Sequence, residues 1–264
     1  MSDSEPDKRR RRGIYLLPNL FTTGSLFAGF YAIVMTMGDR FEEAAIAMFI
    51  AMVLDGADGR IARLTNTQSA FGAEYDSLAD VVAFGVAPGL TAYHWALSGL
   101  GKLGWLAAFF FTAATALRLA RFNTQLGSAD KRYFQGLPCP AAAALVAGFV
   151  WLATAYGFSG EEVAALAMPI TLLGGILMVS NARYYSFKTL DLKGRVPFIS
   201  ILSVVLVIIL ISSNPPLVLF GAALGYAASG PVITLVEIRR RRARRRFGGS
   251  DGRHTGPKQG LGPK

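Results

Sequence analysis

DGADGRIARLTNTQSAFGAEYDSLAD, residues 55–80, sets four aspartates and two arginines between two strongly apolar stretches. Read as helix, Asp55 and Asp58 are three apart and Asp76 and Asp80 four apart, so each pair lies on one helical face. Thr65, Asn66, Thr67, Gln68 and Ser69 between them are loop formers. The stretch therefore predicts two antiparallel helices with facing carboxylates.

The flanks set the class. The chain has 264 residues, 52% of them hydrophobic and 17% charged, with a mean hydropathy of +0.39. That is more apolar content than one soluble core needs. Apolar windows of about 18 to 23 residues, long enough to cross about 30 Å of hydrocarbon as helices, recur along it. They run from Leu17 to Met37, Phe41 to Leu54 with helix continuing to Leu64, Asp76 to Leu97, Leu103 to Asn123, Pro138 to Tyr156, Glu162 to Ser180, Val196 to Ser213 and Pro216 to Glu237. The expectation is an all-α, polytopic integral membrane bundle of about eight transmembrane helices.

Charge orients it. With the N-terminus inside, the cytoplasmic side receives KRRRR (8–12), Arg60, Arg63, Arg118, Arg121, Lys131, Arg132, Arg183, Lys188, Lys193, Arg195 and RRRRARRR (239–246). The other side receives only Arg40 and Lys102, as short cytoplasmic loops rich in Lys and Arg require. Both termini are expected on the cytoplasmic face of the inner membrane. The net charge of +10 then belongs to one face, where it fixes topology and attracts anionic headgroups, and no nucleic-acid partner is expected. No cleavable signal pattern is seen, so the first span is expected to stay. A disordered basic segment 1–12, a membrane-embedded catalytic domain 13–238 and a disordered basic tail 239–264 complete the organisation. The single cysteine, Cys139, forms no intrachain disulfide and reads as packing.

Four uncompensated carboxylates at a membrane surface repel one another, and a cation resolves the conflict. Oxygen ligands without His or thiolate favour Mg²⁺ or Mn²⁺, and two such ions at about 3.5–4 Å can share four carboxylates. Such a centre suits a phosphate or pyrophosphate substrate. Gly56, Gly59 and Ala62 leave one face of the second helix nearly bare, open to a bulky group, and Arg63 can meet a phosphate oxygen. His94 lies inside the third span and His254 in the tail, so a general base has to come from the carboxylates. The competing reading is a set of structural ion pairs or solvated helix ends; four acids at helical spacing argue against it.

Asp55, Asp58, Gly59, Ala62, Arg63, Gly72, Asp76 and Asp80 reproduce every fixed position of D-x-x-D-G-x-x-A-R-x8-G-x-x-x-D-x-x-x-D. In this the chain resembles the CDP-alcohol phosphatidyltransferase family. The resemblance implies a two-ion centre on Asp55, Asp58, Asp76 and Asp80 that grips a CDP pyrophosphate, with Asp80 also the base. It implies that Gly59, Arg63 and Gly72 face the CDP moiety, and that the protein is a membrane-embedded homodimer whose six-helix core opens to the cytoplasm.

LPNLFTTGSLFAGFYAI in the first span, FGVAPG in the third, ALRLARFN closing the fourth and FQGLPCPAAA opening the fifth look like the phosphatidylserine synthase subfamily. That likeness implies CDP-diacylglycerol and L-serine as substrates. Physically, Arg118 and Arg121 lie three apart and can form a fork for the serine carboxylate, with Asn123 adding a hydrogen bond. Snorkelling to the interface is the plainer role for both arginines. Pro138 reads as a helix start, and Asn19 and Thr22 as a polar pair for interhelical or cavity contact. Glycerol 3-phosphate, an inositol phosphate or choline remain alternative acceptors, with archaeal-type lipids as a donor variant. A divalent-cation transporter would want its acids near the midplane, whereas these cluster at one face.

Overall fold

A computed structural model describes residues 7–65, 69–124, 133–185 and 198–247. Among them the chain forms eight helical rods: α1 (Asp7–Met37), α2 (Phe41–Thr65), α3 (70–97), α4 (Lys102–Thr124), α5 (Cys139–Ala155), α6 (Gly160–Val179), α7 (Phe198–Ser213) and α8 (Pro215–Phe247). Each apolar window holds one rod. Asn19–Met37, α4, α6 and Pro215–Val236 are long and apolar enough to cross a membrane, while α5 is a shorter apolar helix. The architecture is an all-α membrane helical bundle.

Two features depart from the sequence expectation. Helix continues through Asp7–Arg12 and Arg239–Phe247, inside the basic segments 1–12 and 239–264 whose composition predicts disorder; residues 1–6 and 248–264 lie outside the described residues. Arg is a good helix former, so a span can run on into a basic extension once it is nucleated. A two-stranded antiparallel ladder also forms, β1 (Tyr133–Gln135) with β2 (Arg183–Tyr185), in the register Tyr133↔Tyr185, Phe134↔Tyr184 and Gln135↔Arg183. Three residues per strand are too few to leave a periodic signature.

Small residues let the rods approach. α1 lies along α2, α4 packs on α6, and α5 sits among α2, α6 and α8. Ala32, Ala44, Ala45, Met48, Ala87 and Ala147 form one buried cluster, and a larger one includes Phe84, Leu97, Phe111, Leu137, Met178 and Tyr184. Interfaces of Ala and Gly bring backbones close enough for van der Waals packing to hold helices together in lipid, where burial alone supplies little.

α3 is not uniform. Ala70–Asp80 and Ala87–Ala92 are α-helical, but Val81–Val86 and Tyr93–Leu97 are wider π-helical turns. Pro88 explains the first: it has no N–H to give and its ring crowds the carbonyl four residues back. The wider turn, in which the Ala87 N–H bonds to the Val82 carbonyl, absorbs that crowding. It follows directly on Asp80.

At Gly29 a Cβ would stand 2.6 Å from the Ala83 Cα, whereas at Gly221 it would meet nothing within 4 Å. Gly29→Ala is therefore expected to destabilise the bundle by about 1–3 kcal/mol through overpacking. Gly221→Ala leaves Tm unchanged or slightly raised, as thermal unfolding in detergent will show.

Candidate active site

Asp55 and Asp58 stand on the last turns of α2, and Asp76 and Asp80 on the first part of α3. Ser69 starts α3 by accepting the Gly72 N–H at 3.0 Å, an N-cap that sets where the second aspartate pair begins. Gly72 belongs there for space: a Cβ would lie 3.1 Å from Ser69 Oγ and 3.4 Å from Asn19 Oδ1 of α1. Residues 66–68 of the turn lie outside the described residues.

The hairpin brings the carboxylates together. One oxygen from each of Asp55, Asp76 and Asp80 lies within 4.8 Å of the others. Asp58 is outside that trio and is the most enclosed of the four motif aspartates, at 5% exposure. It accepts a 2.6 Å hydrogen bond from the Thr22 hydroxyl of α1 and stands beside Asp76. Thr22 thus makes an interhelical bond. Three converging, half-buried carboxylates with no His or Cys among them make an all-oxygen cluster that fits a hard divalent cation.

The small residues of α2 leave room as expected. A Cβ on Gly56 would meet nothing within 4 Å, and one on Gly59 only Arg63 Nη1 at 3.8 Å. Arg63 lies over Gly59, near enough to Asp58 to act on its charge, and Ala62 is half-buried beside it.

α4 supplies the opposite wall. Arg118 donates through Nη1 to Cys139 Sγ at 3.3 Å, and its Nε is buried with no partner among the described residues. It is close enough to Asp80 to act on it electrostatically. Arg121 donates through Nη2 to Gln135 Oε1 at 2.7 Å and to Asn181 Oδ1 at 2.8 Å. Among the described residues neither guanidinium has a carboxylate at ion-pair distance. Asn123 gives its amide N–H to Ser77 Oγ at 3.0 Å, tying α4 to α3 between Asp76 and Asp80. Gln135 lies in the quoted stretch FQGLPCPAAA and Asn181 in none, and neither contact with Arg121 is legible in the sequence, because the two reach it from 14 and 60 residues away.

A family model described as CDP-alcohol phosphatidyltransferase matches residues 15–181. The chain belongs to that family. The match takes in residues 15–37 of α1 and the whole of α2–α6, and α7 and α8 lie beyond it. The chain is 46% identical over 175 residues, 66% of its length and 74% of the relative's, to a Helicobacter pylori protein named CDP-diacylglycerol–serine O-phosphatidyltransferase. It is 38% identical over 137 residues, 52% of its length and 61% of the relative's, to a Methanocaldococcus jannaschii protein of the same name. A Saccharomyces cerevisiae protein, again so named, is 38% identical over 141 residues, covering 47% of this chain and 50% of the relative.

Thr22→Val removes the donor to a buried carboxylate and keeps the side-chain shape. A loss of about 1–3 kcal/mol of stability is expected. Thr22→Ser restores most of it, as thermal unfolding of the two variants will report.

Proposed function

We propose that this protein transfers the phosphatidyl group of CDP-diacylglycerol to the hydroxyl of L-serine, releasing CMP. The observation that carries the reading is the meeting, at one end of the bundle, of the Asp55, Asp76 and Asp80 carboxylates with Arg118, a guanidinium that has no acidic partner among the described residues. The names of the relatives from a bacterium, an archaeon and a yeast support serine as the acceptor.

In this reading Asp55, Asp58, Asp76 and Asp80 would hold two Mg²⁺ or Mn²⁺ ions, with Thr22 fixing Asp58. Ions bound there would supply charge neutralisation to the pyrophosphate. The open face at Gly56, Gly59 and Ala62 admits the CDP group, Gly72 lets the start of α3 close beside it, and Arg63 pairs with a phosphate oxygen. Arg118 and Arg121 receive the serine carboxylate, and Asn123 adds a hydrogen bond. Asp80 takes the proton from the serine hydroxyl. The oxygen then attacks the phosphorus that bears diacylglycerol, the bond from that phosphorus to the bridging oxygen breaks, and CMP departs. Direct displacement is favoured because among the described residues no Ser or Cys beside the cluster has a paired base; Cys139 is buried and accepts from Arg118.

The protein works as a homodimer in the inner membrane, its unit 13–238 presenting the site to the cytoplasm while the diacylglycerol chains stay in lipid. Both basic extensions then lie on the side of the anionic headgroups.

The test is CMP release by purified protein in liposomes, with CDP-diacylglycerol, Mg²⁺ or Mn²⁺, and serine, glycerol 3-phosphate, inositol phosphate or choline in parallel. Metal-dependent release with serine alone is expected. Release with another alcohol alone overturns the acceptor and leaves the aspartate centre. Release with none, from folded protein, returns the carboxylates to ion binding or transport. Asp80→Asn is expected to abolish turnover while CDP-diacylglycerol still binds; near-normal turnover would remove Asp80 from the role of base.

A further inference from the structure

Arg121, three residues beyond Arg118 on α4, is held in an unusual way for a cation. Both hydrogens of its Nη2 go to neutral amide oxygens, Gln135 Oε1 at 2.7 Å and Asn181 Oδ1 at 2.8 Å. A carboxylate in either place would make the same bond and cancel the charge. An amide fixes the guanidinium and leaves its full positive charge, with the Nε and Nη1 hydrogens unengaged among the described residues.

The two amides are themselves well anchored. Gln135 ends β1, where its Cα pairs with that of Arg183 in β2, and the Gly136 N–H bonds to the Ala182 carbonyl at 2.9 Å. Gly136 has φ +79°, and a Cβ there would stand 2.2 Å from the Met178 carbonyl oxygen, so only glycine lets β1 turn back over the end of α6. Asn181 follows α6 directly, in a turn tied by Ser180 Oγ, which donates to the Leu177 carbonyl at 2.8 Å and accepts the Ala182 N–H at 3.3 Å. The ladder is pinned to α8: the Arg183 N–H donates to Thr234 Oγ1 at 3.0 Å, and the buried Tyr184 donates to the Ala227 carbonyl at 2.9 Å, its ring against Gly230. Three separate segments, the start of α5, the end of α6 and the body of α8, thus converge to orient one side chain.

We propose that Gln135 and Asn181 are positioning residues that set acceptor specificity: they fix Arg121 without neutralising it, so that the acceptor alcohol has to bring the negative charge. The inference rests on the reading of Arg118 and Arg121 as the acceptor seat. It assigns the discrimination between serine and an amino alcohol without a carboxylate, such as ethanolamine, to the neutrality of two amides. The two arginines divide the task. Arg118, with Nη1 on Cys139 and a buried, unpartnered Nε, offers the fork of its Nε and Nη2 edge, while Arg121, its Nη2 taken, acts as a fixed charge.

Gln135→Glu and Asn181→Asp test this, because each keeps the side-chain size and the bond to Arg121 while adding the cancelling charge. Steady-state CMP release would be measured with serine and with ethanolamine at saturating CDP-diacylglycerol, and with CDP-diacylglycerol varied at saturating serine. In each variant the serine KM is expected to rise about tenfold or more, the loss of one charge-assisted contact. The KM for CDP-diacylglycerol stays put, and the preference for serine over ethanolamine falls by a similar factor. A purely structural tie predicts the opposite, since an ion pair holds the ladder at least as well as an amide. Wild-type serine KM and wild-type preference in both folded variants overturn the proposal. If the wild-type protein uses an anionic acceptor other than serine, the acceptor reading fails separately, and the same variants are scored for the KM of that acceptor.

Discussion

Mutual repulsion among carboxylates at the α2–α3 hairpin is the constraint on which the rest of the structure depends. Asp55, Asp76 and Asp80 present oxygens within 4.8 Å of one another, and Asp58 is buried beside Asp76. Nothing in helix propensity or apolar burial rewards such an arrangement; by itself it pushes the two helices apart. The chain resists this with the hydroxyl of Thr22 on Asp58, the Ser69 cap, the Asn123–Ser77 tie between α4 and α3, and the charge of Arg118 near Asp80. These contacts come from α1, from the hairpin's own turn and twice from α4, so the hairpin depends on the bundle as well as on its own sequence.

The surrounding bundle is built to allow close approach at some points and to keep space at others. Gly29 against Ala83, and Gly174 and Gly175 against Phe111 and Phe110, bring rods together below the site, whereas Gly56 faces open space. One residue type serves both purposes, and only the neighbouring atoms tell them apart. The π-helical turn after Asp80 belongs to the same economy, since Pro88 obliges the helix to widen at the level where the acidic centre gives way to the apolar core.

Much of this was legible beforehand. Hydropathy located the eight rods because a span must be long and apolar. Asp55, Asp58, Asp76 and Asp80 could be paired by helical spacing alone, and Gly56 and Gly59 by the absence of side chains. Arg118 and Arg121 were visible as a pair, but not that one contacts a buried thiol while the other rests on two amides. Gln135 and Asn181 are single polar residues at the ends of short elements, and their meeting depends on a three-residue ladder and the pinning of Tyr184 to α8. No local periodicity encodes a contact across 60 residues. Composition alone reads the two basic runs as disorder, because it does not register helix already nucleated in the adjoining span.

The most direct test of the central claim, that the four aspartates form one cation centre for a pyrophosphate, is to count bound Mn²⁺ by electron paramagnetic resonance on purified protein with and without CDP-diacylglycerol. Two tightly bound ions per chain in the presence of the nucleotide lipid are predicted, with fewer or weaker ions in its absence and loss of the signal in Asp55→Asn and Asp76→Asn. Full Mn²⁺ occupancy in those two variants, or no bound Mn²⁺ in the folded wild-type protein with its lipid, would contradict the account.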